Sequence, residues 1–327
     1  MANFFDKIFP NGIPNEWVTG SGNTRVLNVP FAAGEPLLKS LKEQDSLAGF
    51  DWEINSQVEK LKNSQPDLPL TTGNVIVVSS GKGGVGKSSV SVNLALALSQ
   101  LGAKVGLLDA DIYGPSIPTM LGKGGKEPEL TANNKMVPME RHGIYVHSLG
   151  YLVDEKDATI WRGPMASGAL QQLYKDTAWP NLDYLIVDMP PGTGDIQLTM
   201  AQKLPVTGAI VVTTPQSVAL RDAEKGIAMF NKLDIPMIGV LENMSYYQCP
   251  SCGHEDPVFG QGGGLAIAKE NKLPVLGQWP LSTELRDSLD GNEPLLLKQP
   301  EHKLSQLILE SAQYVAANLY YQQKNSL

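Results

Sequence analysis

The chain is poor in cysteine: 327 residues contain two, Cys249 and Cys252. A disulfide-stapled secreted scaffold needs several pairs, so that class is excluded. No apolar run approaches the about 18 residues that cross a bilayer, and no membrane span is expected. Residues 1–17 lack a basic stretch followed by an apolar core, so no signal peptide is expected and the expected compartment is the cytoplasm. Positive charge is also short. Lys plus Arg is 26 against 34 Asp plus Glu, a formal charge of -8. A general nucleic-acid binder carries a basic surface, so neither nucleic acid nor membrane is an expected partner. Hydrophobic residues make up 42%, enough for a chain of this length to bury a large core without metal or disulfide staples.

Residues 1–70 read differently from the rest. They hold a short apolar piece at 26–31, a helical pattern at 36–41 and an alternating stretch at 50–54, together a candidate β-α-β unit. A polar, proline-containing linker is expected at 63–69. From Asn74 onward, short apolar strands alternate with helical segments. Strands are expected at 75–79, 105–109, 144–149, 184–188, 209–213, 237–241 and 275–279, and helices at 89–101, 218–233, 265–271 and 304–319. Several strands are continuous Val/Ile/Leu runs, as in a parallel sheet covered on both faces. The expected fold is therefore α/β: a doubly wound, mostly parallel sheet over residues 71–327, preceded by a short α+β segment. The apolar stripe Leu304, Leu307, Ile308, Val315, Leu319 predicts a core-facing final helix.

The first of these strands runs straight into Gly81-Lys-Gly-Gly-Val-Gly-Lys-Ser88 and then a helix. This is the G-x-x-x-x-G-K-[ST] pattern in its confirming context. The loop Gly81, Lys82, Gly83, Gly84, Val85, Gly86 is expected to wrap phosphates with its amides, aided by the helix N-terminus. Lys87 is expected on the β- and γ-phosphates, Ser88 on Mg²⁺ and Ser89 on the α-phosphate. Asp109 and Asp111 end the next strand, at the edge where such sheets bind ligands. Asp111 is the candidate to orient the attacking water, and Asp109 lies nearer the metal shell. Asp188 closes the apolar run 184–188 as a Walker B carboxylate. Gly192, in the following turn, is a candidate amide for the γ-phosphate, and Asp195 a candidate helix cap. Asn243 ends a further strand and is the candidate base-binding residue, because its amide both donates and accepts.

Both cysteines lie in Gln248-Cys-Pro-Ser-Cys-Gly-His254. Two thiols at this spacing can grip one metal. From the residues alone three readings stay open: a redox pair, a zinc site and an iron–sulfur site. Both metal sites need four ligands; one chain offers the two thiols with His254 as a candidate third, and a dimer can close either site with four thiolates.

Lys82 is an additional cation directly after the first loop glycine. The loop resembles the deviant Walker A of SIMIBI-class ATPases, which implies a homodimer in which Lys82 reaches the partner's nucleotide. More broadly, GKGGVGKSS at 81–89, DADIYGPS at 109–116, DMPPGTGD at 188–195, TTPQSVAL at 213–220, ENMSYYQCPSCG at 242–253 and FGQGGG at 259–264 resemble the Mrp/ApbC-type ATPases. That resemblance covers roughly residues 73–320. It implies ATP and Mg²⁺ at the loop, catalytic roles for Lys82, Lys87 and Asp111, and a [4Fe–4S] cluster bridged by Cys249 and Cys252 of two protomers for delivery to apo iron–sulfur proteins. The front segment resembles only part of the small MIP18-like domain of many members. The alternatives are a Min/Par-type spatial organiser, which has no use for the cysteines, and a zinc-clamped dimeric targeting ATPase.

Overall fold

The computed structural model describes residues 3–64, 72–112, 114–122, 128–152 and 163–325. The front segment contains α1 (Phe4–Ile8), β1 (Val18–Thr19), β2 (Thr24–Val29), α2 (Glu35–Lys42) and β3 (Asp51–Ser56). β2 and β3 pair in parallel across α2, the expected β-α-β unit, with β1 antiparallel on β2. Most of the expected linker lies outside the described residues. Its first part is tied down: Ser64 N–H donates to Val206 O at 2.9 Å.

The larger part begins with β4 (Asn74–Ser79), α3 (Lys87–Gln100), β5 (Val105–Asp109), α4 (Ile117–Leu121), β6 (Met139–Arg141), β7 (Ile144–Ser148) and α5 (Gly163–Asp176). It continues through β8 (Tyr184–Asp188), α6 (Asp195–Lys203), β9 (Val206–Thr213), α7 (Ser217–Lys232) and β10 (Met237–Glu242). A hairpin follows, β11 (Tyr247–Gln248) and β12 (Glu255–Asp256). The chain then forms α8 (Gly263–Glu270), β13 (Val275–Gln278), α9 (Thr283–Asp290), α10 (Leu295–Lys298) and α11 (Lys303–Asn325).

Eight strands form one sheet in the order β13-β10-β9-β4-β8-β5-β7-β6, parallel except for β6. β4 is buried along its whole length, and its side chains alternate between two cores. Ile76 and Val78 join the core under α3 and α11, while Val75 and Val77 join the core under α6 and α7. α3 is apolar nearly all round because α11 covers the side that a surface helix would turn to water. The stripe Leu304, Ile308, Val315 and Leu319 is buried in that contact. β6, α4 to α6, the β11–β12 hairpin and α9 to α10 are elements that apolar periodicity did not reveal.

The front segment shares the α3/α11 core through Ile8, Phe9, Leu27, Phe31, Leu37 and Leu41. Trp17 stacks on Tyr321 with ring centroids 6.4 Å apart and meets Phe31 and Tyr320 edge-on at 6.0 and 5.9 Å. Ala32 N–H donates to the Tyr184 hydroxyl at 3.3 Å.

Candidate functional site

β4, β5, β8, β9 and β10 all end at one edge of the sheet, so the residues that follow them converge there. Lys87 is the first residue of α3 and is 6% exposed. Its Nζ lies 2.8 Å from Asp188 Oδ1 and 3.9 Å from Asp111 Oδ2. Ser88 Oγ donates to Asp188 Oδ2 at 2.5 Å, and Ser91 Oγ donates to Asp188 Oδ1 at 2.7 Å. Ser91 lies one helical turn beyond Ser88, so both hydroxyls face the same carboxylate.

Asp109 is 1% exposed. Its Oδ2 accepts from Ser148 Oγ at 3.0 Å and Ile117 N–H at 3.3 Å, and its Oδ1 from Asp111 N–H at 3.2 Å. Burial, reinforced by the neighbouring Asp188 carboxylate, pushes the Asp109 carboxyl up to about 7 despite the opposing pull of Ser148, Asp111 and Lys87. Among the described residues, Lys87 is the cation that faces the buried carboxylates Asp109 and Asp188, a charge balance that fits a divalent cation entering beside the Ser88 hydroxyl.

The shift has a consequence for stability. Folded Asp109 keeps its proton to higher pH than an unfolded aspartate. Taken alone, it therefore makes stability fall as pH rises from the ordinary value of 3.8 through about 7. In nucleotide-free protein the urea midpoint is expected to decline over that window, and Asp109→Asn to flatten the decline. A variant with the wild-type slope would place the effect in another group.

Two glycines fix the loop. Gly86 has φ 80°, a left-handed conformation that a side chain resists, and a Cβ there would stand 2.3 Å from Asn243 Nδ2. At Gly81 a Cβ would stand 2.1 Å from the Asp222 carbonyl carbon of α7, which is backbone and cannot swing aside. Gly81→Ala is expected to cost about 1–3 kcal/mol by overpacking, read as a lower urea midpoint at unchanged m-value. A midpoint at the wild-type value would show that α7 yields freely.

The remaining expected residues fall as follows. Gly83 and Gly84 are exposed at the loop tip, Val85 is buried, and Ser89 is half-buried on the first turn of α3. Lys82 is half-buried, with Nζ 3.5 Å from Gln216 Oε1 at the start of α7. Asn243 is buried, and its Nδ2 donates to Val85 O at 2.9 Å, so it braces the loop from beneath. The Gly192 N–H is given to Ser80 O at 2.9 Å, so a phosphate contact from Gly192 requires that bond to break first. Asp195 stands in the first turn of α6, whose N-cap is Gly194. Sequence reasoning passed over Ser91, Ser148, Gln216 and Glu242, and also Gln197, whose Nε2 donates to Ser79 Oγ at 3.3 Å and to Pro190 O. Only Ser91, four residues after Lys87 on one helix face, carried a readable spacing.

Cys249 and Cys252 lie apart from this cluster, in the loop of the β11–β12 hairpin. Cys249 N–H donates to His254 O at 2.9 Å and Gly253 N–H to Cys249 O at 2.8 Å, closing a tight turn around the two thiols. Cys252 is exposed and Cys249 half-buried. Backbone N–H groups of Cys252 and Ser251 hold the Cys249 thiol below its ordinary value, which favours a metal-binding thiolate. Among the described residues no three His, Cys, Asp or Glu side chains gather as a metal-holding group, and His254 does not join the pair. The hairpin forms one wall of an open groove of about 1230 Å³ that Lys7, Lys39 and Tyr314 also line.

Residues 71–316 match the ParA family model described as the NUBPL iron-transfer P-loop NTPase. The iron-sulfur cluster carrier protein of Haemophilus influenzae is 50% identical over 305 residues, covering 90% of this chain and 82% of the relative. The mouse iron-sulfur cluster transfer protein NUBPL is 47% identical over 247 residues, covering 75% of this chain and 77% of its own. Among solved structures, a nucleotide-binding protein from Archaeoglobus fulgidus in complex with ADP superposes with a TM-score of 0.62 at 35% identity, covering 71% of this chain and 90% of that one. The MinD cell division protein of Aquifex aeolicus shares the fold, with a TM-score of 0.54 at 24% identity, covering 73% of this chain and 95% of that one. The chain belongs to the iron–sulfur cluster carrier family of ParA-type P-loop NTPases.

Proposed function

We propose that this protein is an ATP-hydrolysing carrier, working in the cytoplasm, that holds a [4Fe–4S] cluster between two protomers and passes it to apo iron–sulfur proteins. The observation that carries this reading is the hairpin: two surface thiols on one tight turn, half of a four-thiolate set, on the same chain as a phosphate loop. A second copy supplies the other half. MgATP, when bound, brings the reacting phosphate and its counter-charge. The chain's own residues do the rest. Lys87 and the loop amides hold the phosphates, Ser88 and Asp188 hold the metal's shell with Asp109 beside it, and Asp111 orients water. Asn243 presents its free amide edge to the base, and Lys82 crosses to the partner's nucleotide. The ATPase unit spans 71–327, with 1–70 as a partial MIP18-like attachment. The final helix supports this reading over a membrane-bound spatial organiser, because its apolar stripe is spent on the core.

Anaerobic iron, sulfide and zinc analysis of the purified protein tests the proposal. About four irons and four sulfides per dimer are expected. Stoichiometric zinc without sulfide would overturn it in favour of a zinc-clamped dimer.

A further inference from the structure

Cys249 follows Asn243 by only six positions, so a very short stretch of chain joins the residue that braces the phosphate loop to the cysteine hairpin. The residue that organises this stretch is Glu242. It ends β10, is 1% exposed and faces no cation among the described residues. A buried carboxylate is costly unless every lone pair is served. Here three donors serve it, each from a different element. Ser245 Oγ donates to Oε1 at 2.8 Å, Gln278 Nε2 on the edge strand donates to Oε1 at 2.8 Å, and Gly264 N–H in the first turn of α8 donates to Oε2 at 2.6 Å.

The backbone between Glu242 and the hairpin is strained. Met244 has φ 55°, a left-handed conformation that costs a non-glycine residue on the order of 1 kcal/mol or more. Main-chain bonds hold it there: Ser245 N–H to Trp279 O at 2.9 Å, Trp279 N–H to Glu242 O at 2.9 Å, and Leu281 N–H to Tyr246 O at 2.7 Å. On the other side of the turn Asn243 grips Val85 O in the phosphate loop at 2.9 Å.

We infer that Glu242 is a positioning residue through which the phosphate loop governs the cysteine hairpin. Its carboxylate locks the Asn243–Met244–Ser245 turn, α8 and the edge strand into one arrangement. A loop that moves Asn243 must therefore move or release the hairpin carrying Cys249 and Cys252. The inference rests on the reading above that nucleotide and thiols serve one activity. Gln is a discriminating replacement. It keeps the size of Glu but turns one acceptor oxygen into an NH₂, which then faces either the Gly264 N–H or the Ser245 and Gln278 donors.

The test is the rate at which iodoacetamide alkylates Cys249 and Cys252 in the full, reduced, cluster-free chain, with and without MgATP. In the wild type MgATP is expected to change that rate by at least ~5-fold, and in Glu242→Gln the ratio is expected to collapse to about one while MgATP affinity stays within about twofold. If Glu242→Gln does not fold, Ser245→Ala, which removes a single donor, is expected to reduce the ratio partway. A wild-type ratio of one overturns the inference, as does a wild-type ratio retained in whichever variant folds. The readout uses no cluster. Failure of the iron and sulfide analysis with the ratio lost in Glu242→Gln would remove the carrier reading and leave this coupling standing.

Discussion

Lys87→Ala is expected to lower ATP hydrolysis by roughly 10²–10³-fold, because a preorganised cation aimed at the developing phosphate charge is removed. The side chain is 6% exposed and lies 2.8 Å from Asp188. Its loss takes a cation away from two buried carboxylates, and among the described residues the Asp188 side chain keeps the hydroxyls of Ser88 and Ser91. The Asp109 carboxyl, already held up by burial and by the Asp188 charge, then loses the opposing pull of Lys87 and rises further. The variant should therefore lose steady-state hydrolysis and bind Mg²⁺-nucleotide poorly, while far-ultraviolet circular dichroism shows the helices intact. ATP-stimulated cluster delivery to an apo-acceptor should fall with hydrolysis. Delivery at the wild-type rate would separate the nucleotide site from the carrier activity.

Replacement of either thiol should abolish cluster loading. In a homodimer, Cys249→Ala removes two of the four thiolates at once, one from each protomer, and Cys252→Ala does the same. Neither change should disturb the fold. One cysteine is exposed and the other half-buried on a two-stranded hairpin, and substitutions at such positions usually stay within about 0.5 kcal/mol. Iron and sulfide are thus expected at background in both variants, with nucleotide binding retained. Stoichiometric iron in either variant would place the cluster elsewhere on the protein.

The strands were legible because a parallel strand covered on both faces is largely apolar, and β4, β5, β8 and β9 are buried along their whole length with apolar runs at their centres. The phosphate loop and its carboxylates were legible because they follow those strands at one edge. α6 was not, since its apolar residues Ile196, Leu198, Met200 and Ala201 are spread over more than half of the helix circumference and give no narrow stripe. Ser148 and Glu242 were hidden for a different reason. Each acts through a partner far away in sequence: the register of the sheet brings Ser148 to Asp109 and Gln278 to Glu242, and the packing of α8 brings Gly264 to Glu242. The role of Asn243 as a brace under Val85 likewise depends on a strand order in which β10 and β4 are separated by β9.

The contact between Trp17 and the Tyr320–Tyr321 pair has a consequence for how the chain is made. α1 and α2 bury their apolar sides against α11, which is synthesised long after them. A ribosome releases the front segment long before its partner exists, and closing so large a loop is among the slowest events in folding. Residues 4–56 therefore spend most of translation with their aromatic side chains uncovered. The nucleotide fold can assemble behind them, and they dock only when the final helix leaves the exit tunnel.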